Sequence, residues 1–124
     1  RLGLGEDVIL CGFVADEQLP SLYRHACVLA FPSLHEGFGL PIIEGFASGV
    51  PVLTSNLCSM PEIAGGAAVL CDPYSVDDIR EKLKQLIFDQ QLRQQCITQG
   101  YERLKEFTPE GPAAKMLGLL KTMV

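Results

Sequence analysis

The chain has 124 residues, 48% hydrophobic and 20% charged, enough for one domain with a packed core and unlike a disordered segment. Its net charge of −5, with lysines and arginines scattered along the chain, excludes a duplex nucleic-acid binder, which needs a basic face. Five cysteines, odd in number, widely spaced and without a C-x-x-C pair, predict buried reduced thiols and neither a disulfide framework nor a metal site.

Arg1 to Gly5 reads as the tail of a loop. Val8-Ile9-Leu10-Cys11-Gly12-Phe13-Val14 reads as a first strand, almost continuously apolar as buried parallel strands are. Asp16 is placed to N-cap a helix carrying Leu19, Leu22, Tyr23 and Ala26 at helical spacing. Cys27 to Phe31 gives a second strand, halted by Pro32. A second helix is expected from Leu40 to Ser48, with Pro41 in its first turn and Gly49 ending it. Pro51 to Thr54 gives a third strand, Pro61 to Ala64 a short helical turn, and Ala67 to Cys71 a fourth strand. Ser75-Val76-Asp77-Asp78 has the form of a capping box, with Asp78 a shorter stand-in for Glu or Gln. The helix it opens turns Val76, Ile79, Leu83, Leu86 and Ile87 inward. Asp89 begins another, with Leu92, Cys96, Tyr101 and Leu104 as the inner stripe. A last helix runs from Gly111 to about Val124, with Met116, Leu119 and Leu120.

Short apolar runs alternating with helical patterns define an α/β protein: a partial Rossmann-like, doubly wound parallel sheet of about four strands with C-terminal helices. Residues 1–108 form the lobe, and residues 109–124 a helix packing on it. The chain reads as the later part of a larger nucleotide-binding lobe. In the strand order 3-2-1-4-5-6 it would hold strands 3, 4, 5 and 6, so the Val8 strand either moves beside Cys27–Phe31 or the exposed edge pairs with another copy.

The chemistry concentrates in Phe31-Pro32-Ser33-Leu34-His35-Glu36-Gly37-Phe38-Gly39-Leu40-Pro41-Ile42-Ile43-Glu44-Gly45. Ligands in open α/β sheets sit beyond the carboxyl ends of the strands, where Ser33 to Gly39 falls. Free N–H groups and the positive dipole end at a helix start hold phosphate oxygens, and glycines let a backbone approach them closely. Carboxylates accept hydrogen bonds from sugar hydroxyls. Together these suit a sugar attached to a diphosphate. Glu44 lies about 200° around the helix from Ile42, away from the stripe of Ile42, Ile43, Phe46 and Ala47 expected against the sheet. Taken singly, Glu36 also suits a cap for orphan amides, Glu44 a solvated acid, His35 a loop residue, and Glu62 a helix-dipole partner. Ser55, Asn56 and Ser59 read as loop formers unless the site lies beside them.

The segment closely resembles the donor-binding lobe of retaining glycosyltransferases of family 4, which have the two-lobed GT-B fold. The likeness extends in order through Leu10–Val14, Leu19–Arg24, Phe31-Pro32-Ser33, Glu36–Pro41, Glu44, Gly49–Val52, Pro61-Glu62, Asp72-Pro73 and Gly100, covering about residues 6 to 108. It implies a nucleoside diphosphate sugar as donor substrate, no cofactor and no metal. It implies that Glu36 contacts the transferred sugar near its reactive face. With Ser33 alongside, the amides of Gly37, Phe38, Gly39 and Leu40 would cradle the diphosphate, and Glu44 would hold the ribose hydroxyls. It also implies retention of anomeric configuration, and a partner in the N-terminal acceptor lobe, without which this chain would be inactive. An Arg and a Lys from the family's earlier strands, which would neutralise the diphosphate, have no convincing replacement in Arg1 or Arg24. Phe107-Thr108-Pro109 stands where the family often has Phe-Ser-Trp, and Gly45 where it has alanine, at a helix cost of ~1 kcal/mol. Other readings are a GT-B sugar-nucleotide epimerase or phosphorylase, which share the architecture, or a non-catalytic binding module. No signal peptide is recognisable and no apolar run reaches the ~18 residues of a membrane span. The expected location is cytoplasmic, peripheral at the inner membrane face for the full-length protein.

Overall fold

The computed structural model describes residues 2–108, 110, 118 and 120–122. The elements are α1 (Leu19–His25), β1 (Leu29–Phe31), α2 (Leu40–Ala47), β2 (Val52–Ser55), α3 (Met60–Ala64), β3 (Val69–Cys71), α4 (Val76–Phe88) and α5 (Gln90–Leu104), then a 3-10 turn at Lys105–Phe107. The three strands form one parallel sheet in the order β1-β2-β3, with Leu29 opposite Val52 and Leu53 opposite Val69. The helix expected from residue 111 onward, with Gly111, Met116 and Leu119, falls outside the described residues apart from 118 and 120–122.

Successive side chains of a strand point to opposite faces. On the fully buried central strand β2, Val52 therefore joins one core and Leu53 another. Val52 packs with Ile42, Phe46, Met60, Ile63 and Ala67, under α2 and α3. Leu53 packs with Cys71, Leu86 and Cys96, under α4 and α5. This is the doubly wound arrangement the pattern predicted, with three strands in place of about four.

The absent strand is Val8–Val14. It has no strand neighbour, so Leu10 and Phe13 stand 92% exposed and the expected move beside β1 does not occur. Apolar character makes a strand only where another strand takes up its N–H and C=O groups. Among the described residues β1 pairs with β2 alone.

Other local expectations need correction. Asp16 is not the cap of α1. The chain turns through Ala15, whose carbonyl accepts from Gln18 and Leu19, and the helix starts at Leu19 without a side-chain cap. Ser75 does cap α4, its Oγ accepting from the Asp78 N–H at 3.2 Å. The shorter Asp78 carboxylate instead takes the Asp72 N–H at 2.7 Å, leaving half a capping box. Asp89 caps α5 as expected, accepting from Leu92 N–H at 2.9 Å. Val76, Ile87 and Tyr101 are exposed, as is Ala47, so the inner stripes are narrower than their periodicity suggests.

Gly45 acquires a reason beyond helix propensity. A Cβ there would lie 2.7 Å from Val52 Cγ2 and 2.8 Å from Leu29 Cδ2, so its absence lets α2 sit close on the sheet. Leu29 and Val52 occupy the space an alanine would need.

The cysteines divide in two. Cys71 and Cys96 are buried, whereas Cys11, Cys27 and Cys58 are exposed, against the expectation that Cys11 and Cys27 are core. Cys11 lies on the unpaired segment, and Cys27 precedes β1, where its carbonyl and Sγ accept from Arg93 at 2.9 and 3.0 Å. Burial pushes the Cys71 and Cys96 thiols up, aided at Cys71 by the nearby Asp78 and Asp72 charges. Titration of the native protein with a thiol-specific disulfide reagent at pH 8 is expected to show three fast thiols, and the remaining two only after denaturation. Five fast thiols would contradict this packing.

Candidate functional site

The turn between β1 and α2 is built by three constraints. Ser33 N–H folds back onto the Phe31 carbonyl at 2.9 Å, closing the end of β1. At the other end Gly39, at φ 96° and ψ 47°, is the N-cap of α2 and has no side chain with which to cap it. Between them, the Ser59 hydroxyl lies 3.2 Å from both the Glu36 and Phe38 carbonyls and ties the turn to the loop after β2. Among the described residues, none of the amides of Gly37, Phe38, Gly39 and Leu40 donates a backbone hydrogen bond. Gly39 and Leu40 stand at the N-cap and first position of α2, and Gly37 and Phe38 in the exposed loop just before it, so their N–H groups lie where helix starts commonly meet anions.

Glu36 is half-buried in this turn. Ser33 Oγ lies 3.3 Å from its Oε1 and 3.2 Å from the His35 carbonyl. The single Ser33 hydroxyl proton serves one of these two acceptors at a time, so the Glu36 carboxylate keeps most of its acceptor capacity. His35 Nδ1 lies 3.5 Å from Cys58 Sγ and makes no contact with Glu36 among the described hydrogen bonds.

Glu44, one and a half turns into α2, is half-buried and faces α1. Tyr23 donates its hydroxyl proton to Glu44 Oε2 at 2.9 Å. A cleft of about 350 Å³ opens here, lined by Asp16, Leu19, Pro20, Tyr23, Arg24, Glu44, Ala47 and Ser48. Glu36 and the glycine turn lie outside its lining, so the cleft holds only one of the two glutamates. A larger depression of about 900 Å³ along α5 is lined by Gln90, Gln91, Gln94, Gln95, Thr98 and Gln99. Its lining has no ionisable side chain and no residue of the turn.

Burial and then the Glu44 hydrogen bond and charge push the Tyr23 phenol up to about 12 from its ordinary 10.0. The folded state holds this proton more tightly than the unfolded one. Its contribution to stability is therefore complete below pH 10 and declines as pH rises from 10 towards 12. Ultraviolet titration should show a late-ionising phenol that is lost in Tyr23→Phe. A Tyr23→Phe protein with an unchanged phenolate titration would contradict the assignment.

Sequence reasoning missed four residues. Tyr23 reads as a core position, Ser59 as a loop former and Phe107 as part of the tail motif, while Arg103 carries no sequence reading of its own. Phe107 meets the ring of Phe38 edge-on at 6.0 Å, and the Arg103 guanidinium stands 5.0 Å from the Phe107 centroid. Arg103 also donates to the Glu62 and Ile63 carbonyls at the end of α3 and pairs with Glu106. The turn is thus braced from residues far along the chain. The only sequence signal was the aromatic at Phe107 within the tail motif.

The parallel sheet with helices on both faces and the glycine turn after β1 match the C-terminal lobe of a GT-B glycosyltransferase. The chain belongs to the family Glycosyl transferases group 1, whose model matches residues 1–103. It is 38% identical over 112 residues to the O-antigen chain mannosyltransferase B of Escherichia coli, covering 90% of this chain and 29% of that protein. It is 37% identical over 90 residues to the MMP alpha-(1->4)-mannosyltransferase of Mycolicibacterium hassiacum, covering 70% and 22%. Among solved structures it resembles the C-terminal domain of the glycosyl transferase group 1 family protein LpcC from Francisella tularensis. That match has a TM-score of 0.71 and 36% identity, covering 83% of this chain and 54% of that one. It also resembles the sucrose-phosphate synthase of Thermosynechococcus elongatus, with a TM-score of 0.81 and 25% identity, covering 97% and 31%. The chain spans less than a third of the length of these curated relatives. Among the described residues no helix is long and apolar enough to cross a membrane.

Proposed function

We propose that this chain is the donor-binding part of a glycosyltransferase that moves a hexose from a nucleoside diphosphate to an acceptor hydroxyl. The observation that carries the reading is the run of four unpartnered amides from Gly37 to Leu40, fixed by Gly39 and Ser59 at the carboxyl end of β1. In transfer, the anomeric C–O bond breaks and its electron pair passes to the diphosphate. A new C–O bond forms to the acceptor hydroxyl, whose proton ends on the released diphosphate. Preoriented amides stabilise the negative charge that builds on the leaving phosphate oxygens. Ser33 holds Glu36 beside the reacting sugar, and Glu44 accepts from the ribose hydroxyls. Retention of configuration accords with the family pattern.

Mannose is the first sugar to test, because relatives of this chain are named mannosyltransferases. Catalysis needs an acceptor lobe as well, so the 124 residues alone are expected to bind donor without turnover. In the full-length protein we place the reaction in the cytoplasm, at the inner membrane face where the acceptor is lipid-linked. Because amides take the leaving-group charge, transfer should survive EDTA. Calorimetry of the complete polypeptide with GDP, UDP and ADP tests the donor site: one should bind, and Glu44→Ala should weaken it. Binding by none of the three would favour the non-catalytic module.

A further inference from the structure

The best-defined polar contact of the cleft between α1 and α2 is the Tyr23 hydroxyl on Glu44 Oε2, at 2.9 Å. A carboxylate rotates freely about its terminal bond and has about four acceptor sites on two oxygens. A donor on one side favours one orientation of the carboxylate over the others. Tyr23 is half-buried and lines the cleft beside Leu19 and Pro20 of the same helix, with its hydroxyl reaching across to α2. The phenol has one proton to give and gives it to Oε2. Oε1, and the remaining lone pair of Oε2, are left for a ligand in the cleft.

Two neighbouring oxygens presented in a set plane match two neighbouring hydroxyls, the arrangement of a ribose 2′,3′-diol. We propose that Tyr23 is a positioning residue for nucleoside recognition. Its hydroxyl holds the Glu44 carboxylate in the plane that accepts both ribose hydroxyls, and so sets a preference for ribonucleoside over deoxyribonucleoside diphosphates. The proposal rests on the donor-site reading above and adds to it a residue and a selectivity. It also explains a polar group in α1: phenylalanine would fill the same space without a donor. The cleft has Asp16 and Arg24 on its rim, so the carboxylate is not in an isolated apolar pocket that would demand a partner for burial alone.

The test uses whichever of GDP, UDP and ADP binds the complete polypeptide, together with its 2′-deoxy and 3′-deoxy forms, in wild type, Tyr23→Phe and Glu44→Gln. Wild type should bind the ribo form about tenfold more tightly than either deoxy form, the usual scale for a hydrogen bond to a charged group. In Tyr23→Phe the ratio should shrink to about threefold, with the deoxy affinities changed by less than about twofold. Glu44→Gln should reduce the ratio further. A Tyr23→Phe protein that loses affinity for all forms equally has lost only a helix–helix contact, and the proposal is wrong. So too if the wild-type ratio persists in Tyr23→Phe. A wild-type ratio near one, by contrast, removes the ribose role of Glu44 itself and takes the proposal with it. Melting temperatures of the variants, read beside the ratios, identify any general loss of structure.

Discussion

On the proposed donor-site reading, Glu36→Ala is expected to lower turnover by about 10²- to 10³-fold, the scale on which one preorganised electrostatic contact acts in the transition state. Donor affinity should change by less than about threefold, because the amides and Glu44 carry the ground-state binding in this reading. The asymmetry follows from position. Glu36 lies before α2 in the turn itself, beside Ser33, whereas Glu44 lies within the helix and lines the cleft between α1 and α2. Glu44→Ala should show the converse pattern, a raised donor dissociation constant with a smaller effect on turnover at saturation. Single-turnover assays with saturating donor separate the two. Parallel losses of affinity and rate in both variants would show that the acids act as one binding unit, and the division of roles would fall. Glu36→Gln sharpens the test, since it keeps the shape and the Ser33 contact while removing the charge.

Much of this was legible because the signals are local. Proline and glycine bracket α2, an acidic residue or serine caps α4 and α5, and β2 is short and apolar between turn residues. The glycine turn itself was readable for the same reason: Gly-x-Gly before a proline-started helix needs no knowledge of the rest of the chain. What failed depends on partners. Val8–Val14 has the composition of a buried strand, but strand formation is a property of a pair, and nothing pairs with it. The same segment misassigned Cys11 to the core. Ser59, 21 residues beyond Phe38, and Tyr23, 21 residues before Glu44, enter the site only through the fold. Arg103 is farther still from the α3 carbonyls it binds, 40 residues from Ile63. Neither spacing nor composition encodes such contacts. They arise because α1, the loop after β2 and the end of α5 all pack around the ends of α2.

Gly39→Ala is the substitution with the largest expected effect on the turn, and Gly37→Ala is its internal control. Gly39 sits at φ 96°, where an L-residue is strained by about 1–3 kcal/mol. Its added Cβ would also lie 3.2 Å from both Ile42 Cδ1 and Met60 Sδ. Those two side chains are fully buried, so the methyl group cannot be absorbed by a surface rearrangement. Either the core opens or the peptide rotates, and rotation turns the Gly39 and Leu40 amides away from the anion they are proposed to hold. Gly37 has an ordinary backbone conformation, and a Cβ there meets nothing within 4 Å. Urea denaturation should therefore show a loss of about 2 kcal/mol or more for Gly39→Ala, against less than about 0.5 kcal/mol for Gly37→Ala. Nucleoside diphosphate affinity should fall at least about tenfold in the first and little in the second, with no matching loss for the unphosphorylated nucleoside. That last comparison links the strained glycine to phosphate recognition, because general unfolding would weaken the nucleoside and its diphosphate together. Equal behaviour of the two variants would mean that the left-handed turn at Gly39 is incidental to binding.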